Sequence, residues 1–396
     1  MKSGVWPVVP GRLSVWPVVL GVLITLSGCR SSDFDLETEQ EVEEASLFQL
    51  SDEGGFVLPL VPDSNPLTNE RIELGQHLFY DARLSGNQTQ SCESCHFQHL
   101  AFTDGKALPT GSTGEVLARN SQTLTNVAYN ATYTWWNPIF IRIEQQLALP
   151  LSGDEPVELG INDANQAEVL QRLSQDERYQ TLFDEAFPEE SDPYTLVNVT
   201  KALAAFTRIL ISDRSPFDRN ELSDSASRGK ALFFSEKTEC FHCHNGTNFS
   251  SSTVTANTRF AERPFFNTGL YNLNQDGSYP ADNTGKYQVT NDWIDMGAFR
   301  PPTLRNVELT APYMHDGSIE TLEDVMDFYA AGGRNITAGT QQGDGRLNPY
   351  KSDFVNGFDM TEDEKTDLIN FLKSLTDQAF ITDERFANPW PQEVTP

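Results

Sequence analysis

The chain has 396 residues, 38% of them apolar and 11% aromatic, which suffices for two cored domains and excludes an intrinsically disordered or membrane-embedded chain. Its 28 basic against 57 acidic side chains leave a formal charge of −29, which argues against nucleic acid as a partner and for a neutral or basic protein surface.

At the N-terminus Lys2 and Arg12 precede an apolar run from Leu13 to Leu26, followed by Ser27-Gly28-Cys29. This pattern predicts a lipoprotein signal peptide over residues 1–28, export to the periplasm and a lipid anchor at Cys29. The alternative is an uncleaved anchor helix, which Pro17 interrupts and which is short for a full span. Residues 29–58 carry Asp33, Asp35, Glu37, Glu39, Glu41, Glu43 and Glu44 with no apolar period, and predict an acidic flexible tether.

Order is expected from residue 59. A helix from Leu67 to Tyr80, with Ile72, Gly75 and Phe79 on one face, leads into Cys92-Glu93-Ser94-Cys95-His96. This is the C-x-x-C-H pattern of covalent c-type haem attachment, in which both thiols become thioethers and the histidine ligates the iron. A redox dithiol or half a zinc site are the alternatives, and neither needs a histidine directly after the second cysteine.

Ala101 to Arg119 reads as loop. Tyr194 to Ile211 has a helical period through Val197, Leu203, Phe206 and Leu210, and Ser212 to Asp218 reads as a domain junction. The attachment pattern then returns as Cys240-Phe241-His242-Cys243-His244. Thr247 to Asp295 reads as loop with short strands. Leu322, Val325, Met326 and Tyr329 predict a helix ended by Gly332-Gly333, and Thr361 with Glu364 makes a capping box before Leu368, Phe371, Leu372 and Leu375.

Gly75 to Tyr80 before the first motif matches Gly229 to Phe234 before the second, an internal repeat. The expected fold is therefore mainly α with few short strands, in two cytochrome c-type haem domains, 59–215 and 216–396. With Cys29 lipidated and Cys92, Cys95, Cys240 and Cys243 holding two haems, no cysteine remains for a disulfide. Of the remaining histidines, His77 reads as a partly exposed helix residue, and His99 and His242 lie too near their own motifs to reach the opposite face of the iron.

On these residues the chain resembles the bacterial dihaem cytochrome c peroxidase and MauG superfamily, most closely its MauG and methanobactin-associated MbnH branch. The resemblance runs from about Asn65 to Leu375. Its further motifs are Gly75 to Gly86, Arg119-Asn120-Ser121 to Asn130, Pro156 to Gly160, and Pro302-Thr303-Leu304-Arg305-Asn306 through His315-Asp316-Gly317.

The resemblance implies that the two haem domains pack at an interface, and it implies roles for particular residues. Phe102 to Arg119 contains no histidine, so the first haem is expected to be open to hydrogen peroxide. Gln146 and Glu158 match the family's distal acid/base groups, with Glu155 as substitute for Glu158. Trp135, beside Trp136, falls where the family keeps a tryptophan between the haems. Tyr329, fourteen residues beyond His315, matches the sixth ligand of the second haem in MauG, with Met326 the alternative and Met314 and Met296 weaker ones. Asn120, Thr310 and Pro312 match the positions of a bound calcium ion. His315 is assigned a structural or tuning role.

The function so implied is a dihaem peroxidase that uses hydrogen peroxide and shares the oxidising equivalents with a second, His/Tyr-ligated haem. It would oxidise an aromatic residue of a partner protein, touching the membrane only through its anchor. The alternatives are a conventional peroxidase drawing electrons from small cytochromes, and a dihaem electron carrier.

Overall fold

The structure, a computed structural model, describes Phe48 and residues 56–391. The signal segment, Cys29 and most of the acidic stretch lie outside the described residues. What is described of that stretch packs on the body. The Phe48 N–H donates to the Leu67 carbonyl at 2.9 Å, and Phe56 is buried between the Tyr129 ring and the Arg305 guanidinium. The tether expected over 29–58 therefore does not run to its end.

Among the described residues ten α-helices follow in order, with short 3-10 turns between them. They are α1 (Asn69–Phe79), α2 (Ile143–Gln146), α3 (Ala148–Ser152), α4 (Gln166–Ser174), α5 (Glu177–Ala186), α6 (Leu196–Arg208), α7 (Asp224–Phe233), α8 (Tyr287–Thr290), α9 (Leu322–Ala330) and α10 (Glu362–Lys373). Among the described residues the only ladder is an antiparallel pair, β1 (Asn335–Ile336) with β2 (Gly343–Asp344). The strands expected within Thr247–Asp295 are not there; that stretch makes isolated bridges, such as Phe266 to Phe299, with α8 and short 3-10 turns in otherwise irregular chain. Among the described residues no helix is long and apolar enough to cross a membrane.

The longer helices start where local chemistry says they should. Thr68, Ser223 and Thr321 each accept a backbone N–H from the first turn of the helix they precede, and Thr361 with Glu364 closes a full capping box. α6 differs from its expected face. Val197 is 63% exposed, while Val199, Ala202, Leu203 and Phe206 are buried. The helix begins only at Leu196, so Val197 sits in its first turn and points to solvent.

Two helix crossings repeat each other closely. A Cβ on Gly75 of α1 would lie 1.9 Å from the Ala202 carbonyl oxygen and 2.9 Å from the Phe206 Cβ on α6. A Cβ on Gly229 of α7 would lie 1.9 Å from the Asp367 carbonyl oxygen and 2.9 Å from the Phe371 Cβ on α10. Only glycine permits backbones this close, which gives the internal repeat a physical reason.

Buried apolar side chains form three clusters. The first joins α1, α5 and α6 through Leu74, Phe79, Phe183 and Phe206; the second joins α7, α9 and α10 through Phe233, Met326 and Phe371; the third gathers Leu270, Tyr279 and Phe328. The C-terminal stretch returns to the first cluster. Phe380 packs on Phe102 at 5.7 Å, and Trp390 covers His77 edge-on at 5.1 Å. Part of the segment expected to belong to the second domain, around Phe380 to Trp390, thus packs with the first cluster. His77, expected partly exposed, is buried beneath that returning tryptophan.

Candidate haem centres

Both attachment motifs form short 3-10 turns, Cys92–Ser94 and Cys240–His242. His96 Nδ1 lies 2.7 Å from the Phe102 carbonyl oxygen, and His244 Nδ1 lies 3.1 Å from that of Phe249. Phe102 and Phe249 both adopt left-handed backbone, at φ 62° and 47°, an unusual conformation for a bulky residue. A carbonyl only accepts, so Nδ1 carries the proton and Nε2 keeps its lone pair for a metal. Burial holds the His96 imidazole below its ordinary pKa and pushes His244 down to about 4, so both are neutral at pH 7 and ready to ligate.

The four motif cysteines tell the same story. Burial pushes the thiols of Cys92, Cys95 and Cys243 up to about 12 and that of Cys240 to about 11. A redox dithiol or a zinc site needs thiolates, which this setting opposes, whereas a thioether carries no charge. The residues fit covalent haem.

Near the first motif, Glu158 sits in a pinned loop. Its carbonyl accepts from Ser112 N–H at 2.8 Å, and the Leu159 carbonyl accepts from Gly86 N–H at 2.8 Å. A Cβ on Gly111 would fall 1.8 Å from the Val157 carbonyl oxygen, so the neighbouring loop closes on this segment only through a glycine. The carboxylate's charge reaches both Cys92 and Cys95, and burial pushes its own pKa up to about 7. Glu155 is exposed. Of the two expected carboxylates, Glu158 is the one whose charge reaches the motif cysteines. Gln146 ends α2 half-buried, and among the described residues its side chain makes no hydrogen bond to Glu158 or to the motif.

The second motif opens on one large cavity, about 1650 Å³ of empty space including its mouth. Cys240, Cys243 and His244 line it, and so do Met326 and Tyr329. Tyr329 is within electrostatic reach of both cysteines, and burial raises its phenol well above the ordinary value. Among the described residues its hydroxyl makes no hydrogen bond, a polar atom left for a ligand. Met326 instead belongs to the apolar cluster of Leu322, Leu368 and Phe371. Met314 also lines the cavity, whereas Met296 is buried in the third cluster.

Trp135 lines the same cavity. Its indole N–H donates to the Asn120 carbonyl at 2.9 Å, and its own carbonyl accepts from Arg300 N–H at 2.8 Å. Trp136 lies under the Arg119 guanidinium, which separates the roles of the pair. Asn120, Thr310 and Pro312 are all cavity-lining, and Asn120 N–H donates to the His315 carbonyl at 2.9 Å. His315 stacks on Phe299 at 3.6 Å with its Nε2 buried and unpaired, and burial lowers its pKa to about 4. His99 is exposed, and His242 pairs with Glu239 at 2.7 Å while stacking on Phe354. Two further cavity residues, Gln122 and Arg300, had no sequence signal, because burial and partnership across 178 positions leave no local pattern.

A helical chain with two C-x-x-C-H turns, each ligand imidazole locked by a backbone carbonyl, defines the class as a c-type cytochrome. Comparison with known proteins narrows it. The family model described as di-haem cytochrome c peroxidase matches residues 69–227. Cytochrome-c peroxidase IdrP1 of Denitromonas iodatirespirans is 34% identical over 338 residues, covering 80% of this chain and 84% of the relative. Methylamine utilization protein MauG of Methylorubrum extorquens is 32% identical over 320 residues, covering 79% and 80%. A crystal structure of a MauG-like protein associated with microbial copper homeostasis superposes with a TM-score of 0.84 at 45% identity, covering 85% of this chain and 97% of that one. The chain belongs to the dihaem cytochrome c peroxidase and MauG family. It is an oxidoreductase, and the family implies two haems.

Proposed function

We propose that this is a MauG-type peroxidase, exported to the periplasm and anchored through Cys29, that uses hydrogen peroxide to oxidise an aromatic residue of a partner protein. Cys92, Cys95 and His96 hold the first haem, and Cys240, Cys243 and His244 hold the second with Tyr329 as its further ligand. When bound, the haems supply the redox chemistry, taking two electrons' worth of oxidising power from peroxide.

The chain's own groups supply the rest. A Glu158 carboxyl of pKa about 7 is close to even between its two forms at neutral pH, so its oxygen can accept a proton from one peroxide oxygen and return it to the other. Gln146 is the second polar group of that site. Trp135, hydrogen-bonded at both its indole and its carbonyl, is fixed in the wall of the second cavity as a relay. Asn120, Thr310 and Pro312 offer oxygens of the hard kind that calcium takes.

Tyr329 carries the reading. Desolvation opposes a free phenolate there, so its anionic form needs a cation beside it, and its unpaired hydroxyl opens on the cavity that His244 lines. The MauG-like relative's association with copper homeostasis directs the search for a partner to exported copper-handling proteins. A conventional peroxidase is the second reading, favoured by Met326 lining the same cavity. Adding peroxide to the diferric protein decides between them. A near-infrared charge-resonance band is expected; its absence, together with rapid oxidation of a reduced small cytochrome, would favour the second reading.

A further inference from the structure

Four arginines are buried among the described residues, namely Arg71, Arg208, Arg300 and Arg305. Three of them have a carboxylate. Arg71 faces Glu189 at 3.7 Å, Arg208 faces Glu144 at 2.8 Å, and Arg305 makes a two-pronged pair with Asp218 at 2.8 and 2.9 Å. Arg300, only 3% exposed, has none among the described residues.

Its donors meet neutral oxygens instead. Nε donates to the Thr134 carbonyl at 3.2 Å, Nη1 to the Pro301 carbonyl at 3.3 Å, and Nη2 to Gln122 Oε1. A guanidinium has five N–H bonds, so each terminal nitrogen keeps one unspent. Among the described residues Tyr133 is the titratable side chain whose charge acts on Arg300, and burial pushes the guanidinium pKa down to about 10. A buried charge persists only with a counter-charge, and two spare N–H bonds on adjacent nitrogens match a carboxylate. Arg300 lines the cavity of the second motif, together with Cys240, Cys243 and His244.

We infer that Arg300 is the counter-cation of a propionate carboxylate of the haem seated in that cavity, and so sets that haem's reduction potential. Gln122 orients the guanidinium by occupying one of its donors.

The test is potentiometric titration of the holoprotein and of its R300Q, R300K and Q122E variants, with haem counted by the pyridine haemochrome assay. Removing a cation beside a haem favours its ferric form. R300Q is expected to shift the ferric-to-ferrous ratio of the His244 haem at least tenfold, a fall of about 59 mV for a one-electron couple. R300K, which keeps the charge, is expected to restore most of that shift. Q122E leaves Arg300 in place and gives it a carboxylate of its own, so it too is expected to lower that potential, which covers the case of a misfolded R300Q. An unchanged second-haem potential in Q122E, or a shift confined to the first haem, overturns the inference. The inference rests on the two-haem reading, and the haem count keeps the failures apart: fewer than two haems in the wild-type chain defeats that reading, whereas two haems with unmoved potentials defeat this one alone.

Discussion

The half of the molecule around Cys92–His96 and the half around Cys240–His244 are built alike up to the ligand histidine and differ beyond it. Each has a glycine that lets one helix rest on the carbonyl of another, Gly75 on Ala202 and Gly229 on Asp367. Each has a left-handed phenylalanine whose carbonyl holds Nδ1 of the ligand histidine, Phe102 and Phe249. Among the side chains whose charge reaches the motif cysteines, the first half has the Glu158 carboxyl and the second the Tyr329 phenol. A repeated scaffold thus fixes how a haem is held. Under the proposed function, Glu158 and Tyr329 would then set what each haem does.

The largest expected effect falls on the side chain that distinguishes the first half. Glu158→Gln keeps the shape and loses the base, so peroxide consumption should fall about 10²- to 10⁴-fold while the second haem's spectrum stays as it was. Wild-type rate should rise with pH through about 7, as the carboxyl gives up its proton, and the variant should lose that rise. Stability runs the other way. A carboxyl whose folded pKa lies above its unfolded value near 4.3 stabilises the fold below that value and loses the contribution as pH climbs towards 7. Thermal denaturation of the variant between those limits should therefore be flatter with pH.

Next come the shared elements. Gly75→Ala and Gly229→Ala each place a Cβ 1.9 Å from a carbonyl oxygen, and each should destabilise the holoprotein by about 1–3 kcal/mol or more in chemical denaturation. Equal losses support a true repeat; a loss at Gly75 with none at Gly229 would break the comparison. Smallest are the helix caps. Thr68→Ala and Thr361→Ala should each cost about 1 kcal/mol in the same assay, because each leaves a first-turn N–H, that of Arg71 or of Glu364, without its hydroxyl acceptor, while the Glu364 carboxylate keeps its bond from the residue 361 N–H.

The elements that carry local signals were legible in the sequence. The capping box of α10 and the Gly332-Gly333 end of α9 needed only neighbouring residues, both attachment motifs are contiguous, and the glycine repeat showed by comparing two stretches of the chain. Residues whose setting depends on distant chain were not. His77 is buried by Trp390, 313 positions on, and Arg300 stands out only because three other buried arginines have carboxylates and it does not. Tyr329 lies between these cases. Its number follows from counting beyond His315, while its unpaired hydroxyl and its place beside Cys240 and Cys243 follow only from the fold.

The contrast between the two halves is tested most directly by electron paramagnetic resonance of the resting ferric protein and of Tyr329→Phe. The account predicts one high-spin and one low-spin haem in the wild type, and two high-spin haems in the variant with the first signal unmoved. Two low-spin haems in the wild type, or a low-spin signal that survives Tyr329→Phe and yields instead to Met326→Leu, would contradict it.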